Sequence, residues 1–196
     1  MKTNTKQKIL DAGVRLMHEK GFNDTGLQEI LKEASVPKGS FYFYFKNKQD
    51  FGIQVIDCFF QHFKSVLNRF TEDASMPHVQ RLQTFFSGFL DFFVNGDFKG
   101  GCPIGNFTLE MADVNEDFRE HLNLILEQSI DLIANQIKYA QEKKEIQNVD
   151  DPKTLAEFIF FSWEGMIMQM KVSKDRKHLE QFNCFVFNQL IRNNKM

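Results

Sequence analysis

Long apolar runs are missing from this sequence of 196 residues. None reaches the roughly 18 residues that a membrane-spanning helix needs. The N-terminus MKTNTKQKIL is basic, but no apolar signal-type core follows it, so a cytoplasmic protein with no membrane partner is expected. Cysteine is scarce too. Three cysteines, odd in number and far apart, exclude a disulfide framework and fit a reducing compartment. Histidines 18, 62, 78, 121 and 178 show no ligand spacing, so neither a metal nor a cofactor is expected. A Gly-rich phosphate loop is lacking, as is a nucleophile–base pair, so the chain reads as no enzyme. With four prolines, one tryptophan and few β-branched runs, it reads as all-α.

Phenylalanine is abundant. The 23 Phe within a 42% hydrophobic composition predict a packed, phenylalanine-lined interior. Charge is unevenly spread. Residues 1–48 carry eight Lys and one Arg against two Asp and three Glu, a net +4, while the whole chain carries −2. A basic head on an acidic body suggests that the head meets a polyanion. The expected domains are therefore 1–48 and 49–196.

Residues 5–20 read as a helix with Ile9, Leu10, Val14 and Met17 on one face, stopped by Gly21. Thr25 is placed to cap a second short helix through Leu27, Ile30 and Leu31, and Pro37 opens a third in PKGSFYFYF. Longer helices follow at 49–72, 78–95 and about 115–144, with a short one from Pro103. The linker KEIQNVDDP offers Asp150 or Asp151 as the cap of a helix over 152–173, and a last helix covers about 176–192. The 152–173 helix is apolar on two faces: Ala156, Phe160, Trp163, Ile167 and Met170 share one, and Phe158, Phe161, Gly165, Met168 and Val172 the other. Such a helix is buried on both sides, one against its own domain and one against a partner.

Two short helices joined by a tight turn behind a longer supporting helix make a helix-turn-helix module. Its last helix is short enough to enter a major groove about 12 Å wide. Lys38 faces phosphates there, Gly39 permits close approach, Ser40, Tyr42 and Tyr44 project, and Lys46 and Lys48 flank. Phe41 and Phe45, four apart, read as core. The alternative is a helical small-molecule-binding protein or enzyme with an incidental basic head. A constitutive architectural DNA-binding protein would not need the long body.

The segment GFNDTGLQEILKEASVPKGSFYFYFKNKQDF resembles the DNA-binding segment of the TetR family of transcriptional repressors. Thr25, Ile30, Ala34, Val36, Gly39, Ser40, Tyr42, Tyr44, Phe45 and Lys48 carry that resemblance, and Ser35 departs from it where many members have Gly. It implies phosphate contacts from Thr25, Lys38, Tyr44 and Lys48 and base-edge contacts from Ser40 and Tyr42. It also implies a C-terminal helical domain that binds an inducer and dimerises through its last two long helices. Phe161, Gly165, Met168, Phe182 and Val186 are the expected interface. The expected partners are operator DNA, a small-molecule inducer and a second copy of the chain.

The phenylalanines of 51–70 and 78–95 are placed to line an apolar site, with Phe59, Phe63, Phe89, Phe93, Trp163 and Ile167 as candidates. FKGGCPIGNF puts Cys102 between a glycine pair and a helix-starting proline, the position of an N-cap facing unpaired N–H groups. GGCPIGNFTLEMAD and MQMKVSK are similar to segments of a TetR subgroup that includes the N-ethylmaleimide reductase repressor. That implies a sensing role for Cys102 with Lys171 beside it. Two readings stand: an electrophile or oxidant sensor, or a structural cap beside a site for a non-covalent ligand. Cys58 and Cys184 read as inert core residues.

Overall fold

A computed structural model describes residues 5–71 and 75–191. All regular structure among these residues is helical: α1 (Thr5–Lys20), α2 (Leu27–Glu33), α3 (Gly39–Tyr44), α4 (Lys48–Thr71), α5 (His78–Asn95), α6 (Pro103–Met111), α7 (Glu116–Glu142), α8 (Pro152–Ser173) and α9 (Lys177–Phe185). A π-helical turn, Val186–Leu190, continues α9. The helix ends follow local chemistry. Gly21, at φ +86°, closes α1 in the left-handed region and donates its N–H to the Met17 carbonyl at 3.0 Å. Ser35 does the same for α2 at φ +54°, with Val36 N–H reaching Leu31 O at 3.0 Å. A serine there costs on the order of 1 kcal/mol against glycine, and the turn forms all the same. Asp151 caps α8 by accepting from Thr154 N–H at 2.8 Å, with Pro152 in the first turn.

The helices gather into two compact units. One takes in the chain up to His62 together with Pro103–Ile125; the other takes in Phe63–Cys102 and the chain from Leu126 on. This division differs from the expected break at residue 48. α4 begins at Lys48 and runs on as one helix, and α6 packs with the head although about 50 residues separate them in sequence.

In the first unit, Phe41 of α3 and Phe45, the extended residue that follows the helix, project inward onto Phe51 of α4, with ring centroids 5.4 and 4.8 Å away. All three rings are almost fully buried, each stabilising the fold by roughly 1.5–3 kcal/mol. Phe22 is sandwiched near Phe118 and Phe107, with centroids at 4.9 and 6.1 Å. In the second unit, Phe86, Trp163 and Phe182 meet with centroids 5.0–5.2 Å apart and tie α5, α8 and α9 together.

Candidate DNA-binding and sensing sites

The inward turn of Phe41 and Phe45 leaves the intervening residues of α3 facing out. Tyr42 is 61% exposed and Phe43 81%. Lys38 and Gly39 are exposed, Ser40 and Tyr44 half-buried. Nothing lies within 4 Å of where a Gly39 side chain would start, and its φ is not positive. Neither packing nor backbone geometry within the chain therefore demands glycine at that position. The sequence reading did not single out Phe43, although placing Phe41 in the core already turns it outward.

Thr25 requires correction. It neither caps α2 nor presents its hydroxyl to solvent: Gly26 is the N-cap without a side-chain bond. Thr25 is fully buried and donates its hydroxyl to the Gly21 carbonyl at 2.6 Å. It braces the α1–α2 turn. Lys48 lies at the same turn, its Nζ 3.3 Å from the Asn23 carbonyl oxygen and 4.5 Å from the centre of the Phe22 ring. Burial lowers the pKa of this ammonium, while the carboxylates of Glu110 and Asp24 pull it back up.

The residues expected to line a ligand or sensing site fall in the second unit, with one exception. Cys102 is half-buried against the apolar cluster that includes Phe93, Trp163 and Ile167, immediately before α6. Phe63 and Phe89 pack on the margin of that cluster; Phe89 lies 6.4 Å from Trp163, and Phe63 6.5 Å from Phe160. Phe59 is the exception. It belongs to the first unit, against Phe107 and His18 at 6.3 and 6.0 Å.

Gly101 sits at φ +79°, a conformation that favours glycine, and a side chain there would start 2.9 Å from Lys171 Cδ and 3.3 Å from Ile167 Cγ2. The Lys171 stem thus lies across the residue preceding Cys102.

Sequence reasoning missed Glu164. Its carboxyl is hydrogen-bonded to the Cys102 side chain, and burial raises its pKa, with the thiol's bond acting in the opposite direction. The signal was an acidic residue within an apolar helix, one position from the expected interface glycine.

The other two thiols differ from each other. Burial, then Asp57 and Asp11, push the Cys58 thiol upward in pKa, while Lys6 opposes them. Cys184 is not a core residue: it is exposed, with the Asn188 amide 3.7 Å from its sulfur. The phase of α9 explains this, because Phe182 and Val186 point inward. The same phase corrects the interface assignment of those two residues. Phe182 is 2% and Val186 1% exposed, and both pack inside the protomer.

The outer face of α8 is as the two-faced pattern anticipates. Phe158 and Phe161 are each 53% exposed, Met168 62% and Val172 77%. Open space surrounds Gly165. Phe185, 47% exposed, replaces Phe182 as the outward aromatic of α9.

Among the described residues no group of three or more His, Cys, Asp or Glu side chains gathers as a metal site, and no helix is long and apolar enough to cross a membrane.

Known proteins resemble this chain in sequence and fold. Residues 9–53 match the family profile of bacterial regulatory proteins of the tetR family, and residues 79–186 the tetracyclin repressor-like C-terminal domain. The HTH-type transcriptional repressor DhaR of Mycobacterium sp. (strain GP1) is 35% identical over 97% of this chain and 94% of its own length. The transcriptional regulator AcuR of Cereibacter sphaeroides is 36% identical over 90% of this chain and 80% of its own. The crystal structure of Escherichia coli NemR in its reduced form superposes with a TM-score of 0.84 at 27% identity, covering 98% of this chain and 100% of that one. These relatives are named as repressors and regulators, not enzymes. With a helix-turn-helix head and a helical body that each match their family profile, the chain belongs to the tetR family of DNA-binding transcriptional regulators.

Proposed function

We propose that the chain is a homodimeric repressor that leaves a pseudo-palindromic operator when a small apolar ligand or a reactive electrophile acts at Cys102. The observation that carries the DNA half is the α3 face. Lys38, Gly39, Tyr42 and Phe43 are exposed at this short helix, with Ser40 and Tyr44 half-buried beside them. Two such helices, one per protomer, would read half-sites about one helical turn or slightly more apart. The apolar strip Phe158, Phe161, Met168 and Val172 supports pairing with a second copy, since exposed patches of that kind mark interaction surfaces.

For release, the supporting observation is the company Cys102 keeps: an acidic partner in Glu164, the Lys171 stem across Gly101, and an apolar aromatic cluster alongside. An electron-poor alkene such as N-ethylmaleimide would be attacked by the sulfur. One S–C bond forms, the C=C bond becomes a single bond, and the thiol proton ends on the neighbouring carbon. The bulkier Cys102 must then be accommodated at the start of α6. A non-covalent apolar ligand would act on the same segment through Phe93, Trp163 and Ile167.

The test is a gel shift of the full chain on the DNA upstream of its own gene, before and after sub-stoichiometric N-ethylmaleimide or hypochlorite, with the modified cysteine identified by mass spectrometry. Release accompanied by modification at Cys102 supports the proposal. Modification mainly at Cys58 or Cys184, or unchanged release in Cys102→Ser, overturns the covalent branch and leaves the apolar-ligand branch to be assayed with the serine variant.

A further inference from the structure

One carboxylate far from the head in sequence is built into its first turn. Glu110, near the end of α6, accepts the backbone N–H of Phe22 through Oε2 at 2.8 Å and that of Asn23 through Oε1 at 2.6 Å. These N–H groups lie in the connection between α1 and α2, outside either helix, so without Glu110 their partner would be water. Two separate acceptor atoms on one ionised group give bidentate, charge-assisted bonding, which fixes orientation as well as position.

The surroundings are shaped around this contact. A side chain on Gly21 would start 2.8 Å from Glu110 Oε2, so the glycine that closes α1 also admits the carboxylate. The next residue of α6, Met111, receives the Asn23 side-chain amide, with Nδ2 3.7 Å from Sδ. Lys48 rests on the same turn, on the Asn23 carbonyl and the Phe22 ring, near enough for the Glu110 carboxylate to act on its ammonium. One turn therefore carries α2, holds a candidate phosphate contact and is gripped by α6.

We infer that Glu110 is a positioning residue for operator binding: its carboxylate holds the α1–α2 turn, and with it α2, α3 and Lys48, in the geometry that DNA requires. This deepens the repressor reading above and rests on it.

Glu110→Gln separates this from a general contribution to folding. The amide is nearly isosteric but offers one acceptor where two donors converge, and its own NH2 would face a backbone N–H. Full-length wild type is used to select a preferred duplex from a random library, and both proteins are titrated against it at a temperature where both are folded. Hydrogen exchange is followed in the same samples without DNA. We expect roughly tenfold weaker binding by E110Q, with faster exchange confined to the amides of Phe22 and Asn23 and the neighbouring turn. Faster exchange with unchanged affinity would make Glu110 merely structural and overturn the inference. Unchanged exchange would overturn the clamp itself. Wild type that selects no sequence would overturn the repressor reading, an outcome distinct from an E110Q variant that matches a sequence-selective wild type.

Discussion

The Cys102 side chain is hydrogen-bonded to Glu164, a carboxyl whose pKa is raised chiefly by burial. This relationship makes stability depend on pH in a defined direction. The folded chain holds the Glu164 proton more tightly than the unfolded chain does. That contribution is complete below the ordinary glutamate value near 4.3 and is lost as pH rises through the elevated folded value. Glu164→Gln stays neutral throughout and avoids the loss. Thermal unfolding of E164Q relative to wild type should therefore improve between pH 4 and pH 8, on the order of 1 kcal/mol for each unit by which the folded pKa is raised. A difference that is flat with pH would mean that Glu164 titrates normally.

The same pair bears on thiol chemistry. A carboxylate beside Cys102 opposes a second negative charge on the sulfur, whereas the E164Q amide can donate a hydrogen bond to it. Alkylation of Cys102 by N-ethylmaleimide should then be faster in E164Q wherever the wild-type Glu164 carboxyl is ionised. Rates at each cysteine, resolved by peptide mass spectrometry, check this. Slower alkylation at every pH would instead identify Glu164 as the base that removes the thiol proton.

Period and punctuation made most of the fold legible. The 78–95 and 152–173 helices stand where residue pattern places them, and the left-handed Ser35 turn falls where the family resemblance has a glycine. The π turn after Phe185 had no counterpart in the pattern, because apolar spacing alone does not reveal a change in backbone hydrogen bonding. The sites were less legible, for physical reasons. Thr25 has the chemistry of a cap or phosphate ligand, but the Gly21 carbonyl, brought to it by the turn, takes its hydroxyl. Phe182 and Phe185 are both apolar residues of one helix, and only packing against Phe86 and Trp163 decides which points inward. Glu110 and Glu164 act through partners about 90 and 60 residues away in sequence, distances at which helical spacing carries no information.

Within the head, three substitutions should have three signatures. Lys48→Ala should weaken all duplexes about equally and reduce the salt slope by about one. Tyr42→Ala should relax preference at one or two base positions by about 1–3 kcal/mol. Phe43→Ala should leave thermal stability within about 0.5 kcal/mol, because the ring is 81% exposed. Its affinity for the selected duplex should nonetheless fall more than for random DNA, since an apolar ring in the major groove touches thymine methyl groups. Phe43→Ala binding both duplexes like wild type would remove Phe43 from the interface.

The dimer prediction turns on the contrast between Gly165 and Phe182. Space around Gly165 is open within the protomer, so Gly165→Arg creates no clash there and removes a poor helix former from mid-helix. If a second copy covers the outer face of α8, the same arginine is forced into an apolar contact, where an unpaired charge is strongly disfavoured. G165R should sediment as a folded monomer and lose cooperative binding to a two-half-site operator. Phe182→Ala should do the reverse. Its ring is buried between Phe86 and Trp163, so truncation should lower stability by about 3–5 kcal/mol. At temperatures where that variant is still folded, it should remain dimeric, because the outward aromatic of α9 is Phe185. A dimeric G165R, or a folded but monomeric F182A, would move the interface off the outer face of α8.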